Sequence, residues 1–109
     1  MTAIVEIHVT CPTLEDARQL SHVLLDARLA ACVNIGKEVD SRYLWQGKKQ
    51  RHDEWPLTIK TLESRFEDCC EAIRQNHPYD TPAILGLAVD HVDAATADWI
   101  AETVRPTKD

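Results

Sequence analysis

The segment His77-Pro78-Tyr79-Asp80-Thr81-Pro82 runs directly into Ala83-Ile84-Leu85-Gly86-Leu87-Ala88-Val89. Pro78 and Pro82 remove two backbone donors, and each pushes the residue before it, His77 and Thr81, away from helical angles. The first six residues therefore end any helix that precedes them and form a stiff, extended connector. It presents an imidazole, a phenol and a carboxylate within four residues. The run after it is apolar at nearly every position, which is the pattern of a strand covered on both faces. A sheet with helices on one side only would leave such a strand half uncovered.

Upstream, Phe66, Cys69, Cys70 and Ile73 fall at i, i+3, i+4 and i+7, with Glu67, Asp68, Glu71 and Arg74 opposite, so an amphipathic helix leads into the connector. Trp55 to Leu62 alternates as a strand, and Gln46-Gly47-Lys48-Lys49 supplies turn chemistry before it. The run from Ala30 to Trp45 reads as one long strand, bent or bulged near Gly36, that forms a hairpin with the next. Pro56 conflicts with regular pairing and predicts a bulge or a locally unpaired stretch. At the start of the chain Val5, Ile7 and Val9 alternate with Ile4, Glu6, His8 and Thr10 in a strand ended by Cys11-Pro12. Thr13 and Asp16 then have capping-box spacing before a helix with Ala17, Leu20, Leu24 and Ala27 on one face. At the other end Asp93 can cap a helix with Ala97, Ile100, Ala101 and Val104 on one face, stopped by Pro106.

The order β-α-β-β-α-β with a terminal helix predicts an α+β, ferredoxin-like antiparallel sheet with helices on one face and an extra C-terminal helix, in a single domain over residues 1–109. The other face, carrying Tyr43 or Trp45 and one side of Ile84 to Val89, then requires a partner, and an apolar area of that extent marks an oligomer interface. A formal net charge of -6 speaks against nucleic acid, which needs a clustered basic face. Cations are better guests than anions. No apolar run reaches the length of a membrane span, and the opening Met1-Thr2-Ala3-Ile4-Val5-Glu6 has no signal-peptide pattern, which points to the cytoplasm. Cys11, Cys32, Cys69 and Cys70 make no C-x-x-C pair and should stay thiols there.

In this topology the end of the first strand lies beside the start of the last, so Cys11 and His77 share one end of the sheet. A thiolate and an imidazole suit Cu(I), Cu(II) or Zn(II). Plainer roles stand beside this one: Cys11 as a small packing residue, His77 as a helix C-terminal cation, Tyr79 as a hydrogen-bonded architectural ring. Cys69 and Cys70 belong to the core face of their helix. Lys48-Lys49-Gln50-Arg51 reads as a solvated hairpin tip. No activated nucleophile or usefully spaced pair of carboxylates is recognisable, so the chain does not read as an enzyme.

Three blocks in order, Ala30-Ala31-Cys32-Val33-Asn34, Tyr43-Leu44-Trp45-Gln46-Gly47-Lys48 with Glu54 and Ile59-Lys60-Thr61, and His77 to Pro82, resemble the CutA divalent-cation tolerance proteins over nearly the whole chain. The resemblance implies a homotrimer in which the long hairpin reaches onto a neighbour, and binding of copper or another divalent cation with Cys11 and His77 as ligands. Trp45, Glu54, Lys60, Tyr79 and Asp80 become candidate cleft or interface positions. The chain departs from the family's pattern at Asn76, where some members carry a second histidine, and at Ala83, where glutamate is common. A trimeric scaffold similar to PII-type regulators, binding a small molecule or a protein in clefts between subunits, is the alternative the same resemblance leaves open.

Overall fold

The computed structural model describes residues 3–104. Strand β1 (Ile4–Cys11) leads to helix α1 (Leu14–Asp26), then β2 (Cys32–Ile35), β3 (Val39–Trp45) and the long β4 (Lys48–Leu62). A single 3-10 turn joins β4 to α2 (Phe66–Asn76), which is followed by β5 (Leu85–Val89) and α3 (Ala94–Thr103). The main sheet has the order β2-β4-β1-β5, antiparallel at every step, and β3 pairs with the far half of β4. This is the expected α+β, ferredoxin-like arrangement.

The alternation in β1 sorts its side chains onto two faces. Val5, Ile7, Val9 and Cys11 pack with Ala17, Leu20 and Leu24 of α1, with Cys69 and Ile73 of α2, and with Leu57 and Ile59 of β4. Both helices therefore lie on one face, and that is where the core forms. The caps agree with the sequence: the Thr13 hydroxyl accepts from the Asp16 amide at 3.0 Å and donates to the Asp16 carboxylate at 2.8 Å, and Asp93 accepts from the Ala95 amide at 3.1 Å. Ala27 stands exposed as the C-cap of α1 rather than on its buried face. Pro106, expected to stop α3, lies outside the described residues.

The opposite face carries Glu6, His8 and Thr10, with Lys60 and Thr58 of β4 and Leu87 and Leu85 of β5 in register. α3 crosses to this face and covers one end of it, where Ile100 and Val104 pack on Ile4, Leu62 and Val89 in a second cluster. The rest stays open. Leu85 and Leu87 on the edge strand are 64% and 48% exposed, so the two-sided cover expected for β5 is not completed within one chain.

The expected single bent strand is two strands. β2 ends at Ile35 opposite Leu57, and β3 starts at Val39 opposite Glu54, which leaves Gly36-Lys37-Glu38 facing only Trp55-Pro56. Pro56 sits in that gap. Its carbonyl accepts from the Gly36 amide at 2.8 Å, and its missing N–H falls on the side where no strand asks for it. The expected unpaired stretch at Pro56 is therefore present on the β2–β3 side, while on the other side Pro56 stays in register with Thr10. The hairpin turn is Gln46-Gly47, both at positive φ (52° and 78°), the two-residue turn whose twist matches its strands. Lys49, Gln50 and Arg51 lie within β4 rather than at the tip.

β5 approaches α2 so closely at Gly86 that an added Cβ would stand 2.5 Å from the Phe66 ring. Gly86→Ala is expected to destabilise the fold by about 1–3 kcal/mol, the usual range for overpacking. Urea unfolding of the two proteins measures it.

Candidate functional site

Polar chemistry gathers where β1 ends against the middle of β4. Glu54 follows Asp53 and precedes Trp55, and its side chain is buried to 5% exposure. A buried carboxylate is tolerable only if its oxygens are hydrogen-bonded. Here the Thr10 hydroxyl donates to Oε1 at 2.9 Å and the Tyr79 phenol donates to Oε2 at 2.7 Å. Burial alone would raise the Glu54 pKa, but the hydrogen bonds from Tyr79, Ser41 and Thr10, with His52 nearby, hold it below the usual carboxylate value. The converse holds for Tyr79, whose phenol is pushed well up by burial and by its bond to the Glu54 carboxylate. The pair is a charged acceptor and a neutral donor.

His77 closes the same corner. α2 ends at Asn76, and His77 adopts extended angles (φ -105°, ψ 140°), as the following proline demands. Its Nε2 lies 2.7 Å from the Thr10 carbonyl and its Nδ1 accepts from the Tyr79 amide at 3.1 Å. A carbonyl only accepts and an amide N–H only donates, so the network assigns a neutral ring protonated at Nε2. The imidazole thus ties the connector to the last turnless residues of β1. It is buried, and its ring packs against that of Tyr79 with centroids 5.0 Å apart.

Cys11, directly after Thr10, points to the helix face and is almost fully buried. Burial, then the negative charges of Asp16 and Glu54, push its thiol up to about 11, so it stays protonated at neutral pH. Cys69 is likewise a core thiol, pushed up to about 12 mainly by burial, 3.4 Å from the Leu29 carbonyl. Among the described residues no three His, Cys, Asp or Glu side chains gather as a cation site.

The other candidate positions scatter. Glu54, a candidate cleft or interface position, belongs to the corner, bonded to Thr10 and Tyr79 of the same chain. Trp45 pairs with Lys48, six residues along β4 from Glu54, or about 20 Å at strand rise. It is 49% exposed and distant from the corner within one chain. Lys60 lies on the open sheet face opposite Glu6 and Cys32. Tyr79 turns inward to Glu54, while Asp80 lines an open cleft against α2 with Arg74, Cys70 and Thr81. Asn76 donates to the Ala72 carbonyl of its own helix at 2.8 Å. Sequence reasoning missed Thr10 and Ser41. Tyr43 and His52 share a 2.7 Å hydrogen bond and stack, a pairing hinted at only by the cross-strand neighbours in the hairpin.

The CutA1 divalent ion tolerance protein model matches residues 5–103. This chain belongs to the CutA1 divalent ion tolerance family. The divalent-cation tolerance protein CutA of Thermotoga maritima is 37% identical over 98 residues, covering 90% of this chain and 96% of that one. The crystal structure of CutA1 from Oryza sativa superposes with a TM-score of 0.93 at 32% identity, covering 97% of each chain. A structure described as the periplasmic divalent cation tolerance protein CutA of Archaeoglobus fulgidus gives 0.90 at 33% identity, covering 94% of this chain and 99% of that one. The chain spans 56% and 54% of the length of the chloroplastic CutA proteins of Oryza sativa and Arabidopsis thaliana. The family is named for tolerance and not for a reaction.

Removing the phenol by Tyr79→Phe leaves a buried Glu54 oxygen without its donor, an expected loss of about 1–3 kcal/mol in denaturant unfolding. Because the folded-state pKa of Glu54 is lowered, its contribution is present above the unfolded value near 4.5 and is lost as pH falls through the folded value. Glu54→Gln should therefore be less stable than the parent at neutral pH, with a gap that narrows below pH 4.5. Thermal melts over a pH series read that gap.

Proposed function

We propose that this chain is a non-catalytic divalent-cation-binding protein of metal-ion tolerance. In this reading one domain assembles as a homotrimer in the cytoplasm and takes up copper or another divalent cation through Cys11 and His77. The observation that supports the site is the His77 Nε2–H bond to the Thr10 carbonyl at 2.7 Å, which holds an imidazole beside the residue next to Cys11. A ligating histidine usually anchors its second nitrogen on a carbonyl or carboxylate in this way. Thiolate and imidazole together favour copper or zinc over calcium or magnesium. Since the Cys11 thiol is protonated up to about pH 11, ligation through it releases a proton, and uptake strengthens as pH rises.

The homotrimer is supported by apolar surface that one chain leaves open: Leu85 and Leu87 on the edge strand, and Leu44 and Trp45 at the end of the hairpin. Cytoplasmic residence is the reading of the sequence. No described helix is long and apolar enough to cross a membrane, and relatives are named for other compartments.

A PII-like scaffold that binds a small molecule or a protein in clefts between subunits is the second reading. It is favoured by one observation, that both His77 nitrogens are already engaged.

Calorimetric titration of chelator-free protein with Cu(II) and Zn(II) separates the two. Cation binding weakened about tenfold or more by Cys11→Ser and by His77→Ala is expected, since even an outer contact of a metal site is worth that much. Unchanged affinity in both variants removes these residues from the site, and no uptake by the parent favours the scaffold. Light scattering should give the mass of three chains.

A further inference from the structure

We propose that the cleft between α2 and the connector is a binding site for a small organic ammonium ion, a protonated amine carried on a flat apolar body. The site lies within one chain and shares no residue with Cys11, His77 or the hydrogen bonds around Glu54.

One wall of the cleft is a stripe of α2. Phe66, Cys70 and Arg74 recur every fourth residue and so share a helix face, with Glu67 beside them. The other wall is Asp80, Thr81 and Pro82 of the connector, with Ile84 after it. Together they enclose about 480 Å³, within the usual range of small-molecule sites. Both walls are held in place: Pro78 and Pro82 stiffen the connector, and the Phe66 ring packs directly against Gly86 of β5.

The floor is apolar. Cys70 and Pro82 are buried, and Phe66 and Ile84 are half-buried. Cys70 is only 4% exposed, yet among the described residues its thiol makes no hydrogen bond, whereas that of Cys69 beside it reaches the Leu29 carbonyl. Burial and the charge of Glu67 push the Cys70 thiol up, so it stays neutral and offers a soft, polarisable surface. The rim is charged unevenly. Arg74 is engaged by Glu71 of its own helix at 3.1 Å. Glu67 and Asp80, one on each wall, are exposed and have no hydrogen bond or ion pair among the described residues. The uncommitted charge of the cleft is therefore negative on both sides. An anion is repelled there, and a bare metal ion finds no third donor. An ammonium group on an apolar body meets both demands, with its charge between the two carboxylates and its body on Phe66, Pro82 and Ile84.

Phenethylammonium is the probe, and 3-phenylpropionate, which carries a carboxylate on the same phenylethyl body, is its control. The full chain is titrated with each and followed by amide NMR, with Ala95, whose amide is held by the Asp93 cap, as the internal reference. Phenethylammonium should give saturable shifts at the Cys70, Thr81 and Ile84 amides while Ala95 stays unchanged, and 3-phenylpropionate should give none. Glu67→Gln and Asp80→Asn, both exposed and outside the core, should each weaken phenethylammonium about twofold to fivefold, the range of exposed ion pairs. Shifts that do not saturate, equal binding of the carboxylate, or unchanged affinity in both variants overturns the site. Each of these outcomes is independent of whether Cys11 and His77 take up a metal.

Discussion

Pro56 has no amide hydrogen, and the architecture of the chain turns on where that missing donor falls. On one side Pro56 stays in register with Thr10 of β1; on the other it breaks the pairing between β2 and β3. A continuous ladder through this point would leave a carbonyl on the facing strand without a donor. Splitting the facing strand at Gly36 removes that demand. β4 therefore serves two purposes along one length, one arm of a projecting hairpin from Lys48 to Glu54 and a central strand of the main sheet from Trp55 to Leu62.

The polar corner lies at that division. β1 stops at Cys11, opposite Trp55, so Glu54, one residue earlier in β4, has no β1 partner and pairs only with Val39 of β3 on its other side. Its carboxylate is buried because the connector folds over it, and it stays charged because Thr10 and Tyr79 donate to it. His77 holds the connector down from the other side. Each hydrogen bond in the set depends on the others, since Thr10 contributes its hydroxyl to Glu54 and its carbonyl to His77. Satisfied networks of this kind in a low-dielectric setting are worth more together than bond by bond. The exposed ion pairs of the hairpin, Asp40 with Arg42 and Arg51 and Asp53 with Arg51, are screened by water and contribute little.

Beyond the corner, one face of the sheet is finished only at the end that α3 covers. The remainder combines exposed leucines on the edge strand with Glu6, His8 and Lys60 across the middle. Such a mixed surface fits an interface between copies better than an interior, and it is continuous with the hairpin face that carries Tyr43 and Trp45.

The local features were legible in the residues alone. Caps at Thr13 and Asp93, the Gln46-Gly47 turn, the apolar stripe of α2 and the break forced by Pro78 involve neighbours a few positions apart, where backbone angles and spacing decide the outcome. The element order followed from these, and with it the meeting of β1 and β5. The side of the sheet taken by α3, the inward turn of Tyr79, the burial of Glu54 and the commitment of both His77 nitrogens belong to the tertiary structure. The reason is separation along the chain: Tyr79 and Glu54 are 25 residues apart, Thr10 and Glu54 are 44 apart, and His77 and Thr10 are 67 apart. No periodicity reports on a hydrogen bond at such a distance. It forms only once the strands have fixed which atoms face each other.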